Sequence, residues 1–244
     1  MKTFKLNRRS FIDNFLQPIS KVNEQCTITL SNDKASTLTS NINTTVFLHC
    51  ESTLSCNIDD PISLNVGNVS KLQKAFECIQ EDEPEFELNR NHLRYVSPDL
   101  KFNYHVLEDG VITTPTVSIE KLSMVDIDTS FIITRDTLTN ILRISSFTHD
   151  SNKIYFFSRD GQIYCELNDK TMPNIDSVEM IAAKSFAGAP IKTDLPLRLD
   201  WLRDFSTIKF DVVNVRYNDA NKIVIFHIET DNTVLKYIVS GLTK

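Results

Sequence analysis

The chain has 244 residues, 41% of them hydrophobic and 24% charged, which is enough for one large core or two smaller ones and excludes a disordered chain. Its formal net charge of −6 excludes a uniformly basic nucleic-acid binder, so any DNA contact requires basic residues gathered on one face. The five glycines are isolated from one another, which argues against the phosphate-binding loops of kinases, ATPases and common dehydrogenases.

Cysteine usage predicts the compartment. The five cysteines are odd in number and include no C-x-x-C pair, and the N-terminal MKTFKLNRRS lacks the apolar stretch of a signal peptide. We therefore expect reduced thiols and a cytoplasmic protein. No apolar run approaches the length of a membrane span, so no membrane contact is expected.

The first half begins with a strand near residues 1–6, followed by a capping Asn7 and a helix near 8–20 that Pro18 should end or kink. Asn68 should cap a second helix that reaches about Gln80. Polar and acidic residues mark the turns between the other elements. The remaining strand-like runs are CTITL (26–30), KASTLTS (34–40), TTVFLHCES (44–52), PISLNV (61–66), HLRYVSP and KFNYHVLED.

An extended connector is predicted over 110–122, because this segment contains Thr, Pro and Gly but little periodicity. The second half then repeats the order of the first, with Thr134 and Asp200 as the expected helix caps. Its predicted elements are a strand over 124–133, a helix over about 135–148, a hairpin over 153–169 with its turn at Arg159-Asp160-Gly161, a strand over 177–186, a short helix over 201–207 and a three-stranded meander over 208–241.

The sequences of the two halves indicate an internal duplication of one domain. FKLNRRSFIDNFL (4–16) and FIITRDTLTNILR (131–143) each read as a strand, a cap, a basic residue and a helix with matching apolar anchors. Two helices among eight or nine strands in each half predict an α+β fold with the helices on one face of antiparallel sheets. We expect domains over 1–109 and 123–244, joined by the connector.

Basic residues are concentrated on the predicted helices. In the second helix Val69, Leu72, Phe76 and Ile79 form one buried stripe, and Lys71 and Lys74 point away from it. The four helices together carry a net charge of +3 and the rest of the chain −9. Ordinary solvated helix surfaces would explain this as well as a basic wall would. The eight basic residues are Arg8, Arg9, Lys21, Lys71, Lys74, Arg135, Arg143 and Arg203.

No reaction centre can be assembled from the sequence. The histidines lack the spacing of a metal pair, and no G-x-S-x-G elbow occurs. We therefore expect no metal, no cofactor and no enzymatic activity.

The tandem order of elements and several phrases resemble the sliding clamps of DNA replication, the DNA polymerase processivity factors. The family includes the proliferating-cell nuclear antigen of eukaryotes and the processivity factors of tailed bacteriophages. The resemblance covers essentially the whole chain and is greatest to the phage branch. The phrases that carry it are FLQPISKV, TTVFLHCES, PISLNVGNVSKLQKAF, KFNYHVLEDGVI and SIEKLSMVDID.

The resemblance implies a closed head-to-tail homotrimer whose helices line a hole for duplex DNA, bound without regard to sequence through the eight basic residues. It implies an ATP-dependent clamp loader as partner and the cytoplasm of an infected bacterial host as location. Strand 101–109 of one subunit would pair with strand 177–186 of the next, through Lys101, Phe102, Tyr104, Val178, Met180 and Ile181.

The resemblance also implies a pocket for the C-terminal tail of a DNA polymerase. Its matching positions are Ile42, Val46, Ile119, Leu122, Ile238 and Val239, for which ordinary core packing is an equally good explanation. Two other classes remain open. One is a phage structural or scaffolding protein that assembles through exposed sheet edges, and the other is an enzyme.

Overall fold

The computed structural model describes residues 2–31, 33–56, 60–89, 91–148, 151–172 and 174–241. The chain forms two compact units. The first comprises the residues up to Ile119 together with Thr230–Leu235, and the second comprises Glu120–Glu229 and the residues from Lys236 onward. No helix in these ranges is long and apolar enough to span a membrane.

The described residues up to Ile119 form nine strands and two long helices. Helix α1 is continuous but changes type along its length, from an α segment (Arg8–Ser10) through a π segment (Phe11–Leu16) to a second α segment (Gln17–Val22). Helix α2 is Val69–Glu77. The strands are β1 (Lys2–Lys5), β2 (Cys26–Ser31), β3 (Lys34–Ser40), β4 (Val46–Thr53), β5 (Ser55–Cys56), β6 (Ile62–Val66), β7 (Glu85–Asn89), β8 (His92–Val96) and β9 (Lys101–His105).

The described residues of the second unit repeat this inventory. A short helix α3 (Ile119–Ser123) precedes it, and its two helices are α4 (Arg135–Ile144) and α5 (Leu199–Ser206). The strands are β10 (Thr129–Thr134), β11 (Lys153–Arg159), β12 (Gln162–Leu167), β13 (Val178–Ala183), β14 (Ala187–Gly188), β15 (Leu197–Arg198), β16 (Val212–Asn218), β17 (Ile223–Glu229) and β18 (Thr233–Ser240).

Strand pairing in the two units matches one to one. In the first unit the strands lie in the orders β5-β1-β7-β8-β9 and β4-β3-β2-β6, and in the second β14-β10-β16-β17-β18 and β13-β12-β11-β15. Every strand pair of the first unit therefore has a counterpart in the second whose strand numbers are higher by nine. This holds even for the two-residue strands β5 and β14. This agreement at the level of hydrogen-bonded pairs demonstrates the internal duplication.

Aromatic side chains fill the core of each unit. In the first unit the Phe76 and Phe86 rings stack with centroids 4.6 Å apart, and Phe4 stacks on Phe86 at 5.5 Å. In the second unit Phe205 lies 4.4 Å from Tyr237. Each such side chain contributes about 1.5–3 kcal/mol by leaving water, so these clusters fix the helices on the sheets.

Three predicted helix caps are confirmed. The Asn7 side chain accepts a hydrogen bond from the N–H of Ser10, Asn68 accepts from Lys71, and Thr134 accepts from Thr137. Each cap satisfies a main-chain N–H that the first helical turn leaves unpaired. The predicted hairpin turn is confirmed too, because Asp160 and Gly161 both have positive φ between β11 and β12.

Pro18 does not end the first helix, which was one of the two alternatives that the sequence predicted. In the π segment the N–H of Gln17 bonds to Ile12 five residues back, and Pro18 follows at the start of the next α segment. At that position the missing N–H of proline is tolerated, so the helix continues to Val22.

Two other predictions are wrong in detail. The segment 110–122 is not extended throughout, because its last residues belong to α3. Asp200 is not the cap of the last helix. That helix begins at Leu199, because β15 pairs with β11 just before it and the N–H of Leu199 bonds to the carbonyl of Asn152. Asp200 therefore lies in the first turn of the helix.

Candidate nucleic-acid interface and free strand edges

Two of the eight basic residues, one in each unit, form long-range hydrogen bonds within their unit. Arg8 Nε donates to the main-chain carbonyl of Glu81 at 2.9 Å, and Arg135 Nη1 donates to that of Ile208 at 2.7 Å. Both acceptors follow the second long helix of the unit, 73 residues after the arginine. The Arg135 guanidinium also lies 5.4 Å from the centroid of the Phe210 ring. These equivalent side chains therefore tie the start of one helix to the end of the other.

Arg203 is paired with a carboxylate of its own helix. Its Nη1 lies 2.8 Å from Asp200 Oδ1, and Arg198 Nη2 lies 2.8 Å from the other carboxylate oxygen. Burial alone would raise the pKa of Asp200, but hydrogen bonds from Arg198, Asn152 and Arg203 hold that pKa below its ordinary value. Asp200 therefore remains ionised and keeps Arg203 engaged.

The other five cations are exposed and have no ion-pair partner within the described ranges. On α2 the contrast between faces is clear, because Val69, Leu72 and Phe76 are buried while Lys71 and Lys74 face solvent. Four of the five belong to the first unit and one to the second. They are Arg9, Lys21, Lys71, Lys74 and Arg143.

Strand β9 is an edge with one open side. Among the described strands it pairs only with β8. The N–H of Ser97 bonds to Leu100 at one end of the pair, and the N–H of Val106 bonds to Asn91 at the other. Because hydrogen-bonded and non-hydrogen-bonded pairs alternate in an antiparallel ladder, these two bonds fix which main-chain groups face away from β8. They are those of Lys101, Asn103 and His105, whose side chains are exposed.

Strand β13 is the corresponding open edge of the second unit, paired among the described strands only with β12. The two-residue hairpin makes Arg159 and Gln162 a hydrogen-bonded pair, so Cys165 and Leu167 direct their main-chain groups toward β13. Their partners Met180 and Val178 accordingly bond toward β12. The groups that face away are those of Glu179 and Ile181.

The six predicted interface residues differ in their exposure. Lys101 and Ile181 are exposed, and Phe102, Val178 and Met180 are half-buried. Tyr104 is buried, and its hydroxyl donates to the carbonyl of Asn68 at 2.8 Å, so it supports the start of α2. Sequence reasoning missed Asn103, His105 and Glu179, which the alternation of the ladder would have revealed once the hairpin ends were known.

The six predicted peptide-pocket residues are divided between the units. Ile42, in the loop after β3, is 96% exposed. Val46 is buried at the start of β4, and Ile119 is exposed on α3. In the second unit Leu122 is half-buried, and the side chains of Ile238 and Val239 are buried on β18. Met124, which sequence reasoning did not select, is 78% exposed.

The described thiols are free and unreactive where they are buried. Cys26, Cys50, Cys78 and Cys165 form no disulfide. Burial raises the pKa of both Cys26 and Cys165 to about 12, which keeps them protonated at neutral pH. His149 lies outside the described residues, and the described part of the chain contains no group of three or more His, Cys, Asp or Glu that could hold a metal.

Solved structures share this arrangement over the full length of the chain. The chain superposes on A. fulgidus PCNA bound to the C-terminal region of FEN-1 with a TM-score of 0.81, 12% identity and coverage of 100% of this chain and 99% of that one. The chain has the clamp fold. The predicted α+β class with two tandem clamp domains is thereby confirmed.

Two further structures have the same clamp fold. PCNA from Entamoeba histolytica gives a TM-score of 0.77 at 12% identity, covering 99% of both chains. The PCNA2–PCNA3 complex from Sulfolobus tokodaii gives 0.74 at 11% identity, covering 98% of both chains. No protein-family model matches the sequence, and no curated protein is detectably similar to it. At this level of identity the likeness is one of fold.

Proposed function

We propose that the chain is a DNA sliding clamp, three copies of which close head to tail around duplex DNA and tether a replicative polymerase. The observation that carries this proposal is the pair of open edges, β9 in one unit and β13 in the other. Their counterparts in the repeat are β18 and β4, and β4 lies beside the first residues of β18 within the first unit. The chain thus already contains one joint of the type that would link its copies.

The distribution of charge supports sliding rather than tight binding. Five uncompensated helix cations per chain, on a molecule of net charge −6, offer weak contacts to phosphates that carry no sequence information. An acidic remainder would keep DNA away from other surfaces. The clamp needs no reaction centre, because its contribution is to keep the polymerase close to the template.

A partner tail is part of the proposal. The PCNA of A. fulgidus is bound to the C-terminal region of FEN-1. We propose that this chain binds the C-terminal tail of a DNA polymerase through Ile42, Val46, Ile119, Leu122, Ile238 and Val239, and that an ATP-dependent loader opens the ring. The phrases that resemble those of phage processivity factors support a tailed bacteriophage source and action in the cytoplasm of an infected bacterium.

Mass and shape together test the proposed ring. Light scattering after gel filtration should give about three times the subunit mass of 27.9 kDa, and electron micrographs should show a threefold particle with a hole wide enough for duplex DNA. The clamp should also increase the length of product that its polymerase makes in one binding event. A stable monomer at high concentration would contradict the ring, and open filaments that form without DNA would favour a scaffolding protein.

A further inference from the structure

We infer the register in which two copies of the chain join: β9 of one copy runs antiparallel to β13 of the next, with Phe102 directly opposite Met180. This inference rests on the proposed ring and adds the residue pairs that would build it. It follows from the internal repeat, because the first unit contains one joint between the equivalent strands.

The internal joint fixes its own register. The N–H of Thr53 donates to the carbonyl of Asn232 at 2.9 Å, and Thr233 Oγ1 lies 3.2 Å from Ser52 Oγ. Residue numbers fall along β4 as they rise along the segment 230–235, so the two run antiparallel. Counting two positions further places Cys50 opposite Leu235, and both side chains are fully buried.

The hairpins give the equivalent of Cys50 in the second unit. The β2–β3 hairpin ends on the pair Ser31 and Lys34, and the β11–β12 hairpin ends on Arg159 and Gln162. Thr37 lies three positions after Lys34, and Cys165 lies three positions after Gln162. Thr37 lies opposite Cys50, and Cys165 lies opposite Met180. Met180 therefore occupies in β13 the place that Cys50 occupies in β4.

The turns give the equivalent of Leu235. The turn before β18 has a bond from the N–H of Thr230 to Thr233, and the turn before β9 has the matching bond from Ser97 to Leu100. Leu235 lies two positions after the acceptor Thr233, and Phe102 lies two positions after the acceptor Leu100. The internal pair of Cys50 and Leu235 thus translates into Met180 and Phe102 at the joint between copies.

The chemistry of both edges agrees with this register. Phe102 and Met180 are half-buried and lie on the core sides of their strands, so pairing would remove the rest of both side chains from water. Asn103 then faces Glu179, and Lys101 faces Ile181. The main-chain groups of these four residues are those that point away from their own sheets, which lets them form the ladder. A shift by one residue would break this match.

Disulfide trapping tests the register. Phe102 and Met180 would form a non-hydrogen-bonded pair, in which the Cα atoms are about 4.5 Å apart and within reach of a disulfide. In a Cys78→Ser background, the double variant Phe102→Cys/Met180→Cys should form covalent dimers and trimers under mild oxidation, and a reductant should reverse them. The matched control Phe102→Cys/Val178→Cys shifts the pair by two residues while keeping the same face. Its cross-linking should be at least about tenfold slower.

Each outcome has a distinct meaning. Faster cross-linking of a shifted pair would overturn the register and leave the ring intact. A trimer by mass in which no pair cross-links would overturn the β9–β13 joint, and a monomeric parent protein would overturn the proposed function itself. If the loss of Phe102 prevents assembly, Asn103→Cys/Glu179→Cys probes the same register with two exposed residues, and its failure to cross-link in an assembled trimer would overturn the inference.

Discussion

Arg135 and Ile208 are joined by a hydrogen bond of 2.7 Å from the guanidinium to the main-chain carbonyl, and Arg8 and Glu81 repeat this bond at 2.9 Å in the other unit. The sequence suggests that such repeated arginines, placed just after a helix cap, face DNA. Both guanidinium groups instead donate to main-chain carbonyls just after the second long helix of their unit. The repeat thus preserves a structural contact.

The first prediction concerns the stability of the second unit. Arg135→Ala should lower the free energy of unfolding by about 1–3 kcal/mol, because the carbonyl of Ile208 loses a charge-assisted partner. Arg143→Ala is the matched control and should change it by less than about 0.5 kcal/mol, since the exposed Arg143 side chain, unlike that of Arg135, donates no hydrogen bond to the described residues. Urea titration of both variants provides the measurement. Equal stabilities would show that the contact contributes nothing.

The second prediction separates free from engaged cations. Lys71→Ala/Lys74→Ala should reduce the slope of log affinity for end-blocked duplex DNA against log salt by about 1.8, because each lysine that neutralises a phosphate accounts for about 0.9 of that slope. Arg203→Ala should change the slope less than the loss of one of these lysines, because the guanidinium is already paired with Asp200. Fluorescence anisotropy across a salt series measures both slopes. An unchanged slope in the lysine variant would mean that these lysines are only solvated.

The third prediction compares two glycines with positive φ. At Gly161, φ is +76° and no atom beyond the two neighbouring residues lies within 4 Å of where a Cβ would be, so Gly161→Ala should cost only the left-handed backbone strain of about 1–2 kcal/mol. At Gly188, φ is +91° and a Cβ would lie 2.1 Å from the carbonyl oxygen of Asp128. That oxygen also accepts from the N–H of Ala189, so it cannot move freely.

Gly188→Ala should therefore cost a further 1–3 kcal/mol or so through overpacking, roughly doubling the effect. Differential scanning calorimetry should show a lower melting temperature for this variant than for Gly161→Ala. The reverse order would mean that the junction of β10 and β14 relaxes without cost.

The fourth prediction concerns pH. Burial lowers the pKa of His227, and repulsion from Arg216 and Lys236 adds to this shift although Glu229 opposes it. The fold therefore favours neutral His227, and its contribution to stability is complete above the unfolded-state pKa of about 6.5 and declines as the pH falls below it. His227→Gln should lose less stability than the parent between about pH 7.5 and 5.5 in urea titrations. Parallel losses in both proteins would contradict this role.

Local chemistry made the elements of the fold predictable from the sequence. Asn7, Asn68 and Thr134 cap helices because each has a short polar side chain directly before an amphipathic run. Asp160-Gly161 forms a hairpin turn because it adopts positive φ between two alternating strands. The π segment before Pro18 was not predictable, since packing over more than one turn decides it.

The role of each basic residue was decided only by the tertiary structure. The sequence placed all eight on or next to helices. A guanidinium is free or engaged, however, according to acceptors such as Glu81 and Ile208, which lie 73 residues away in the chain. The sequence by itself determined the duplicated α+β fold, because alternation, caps and helical periodicity are local. Long-range hydrogen bonding determined which strand edges remain open and which cations remain available, because both depend on residues that only folding brings together.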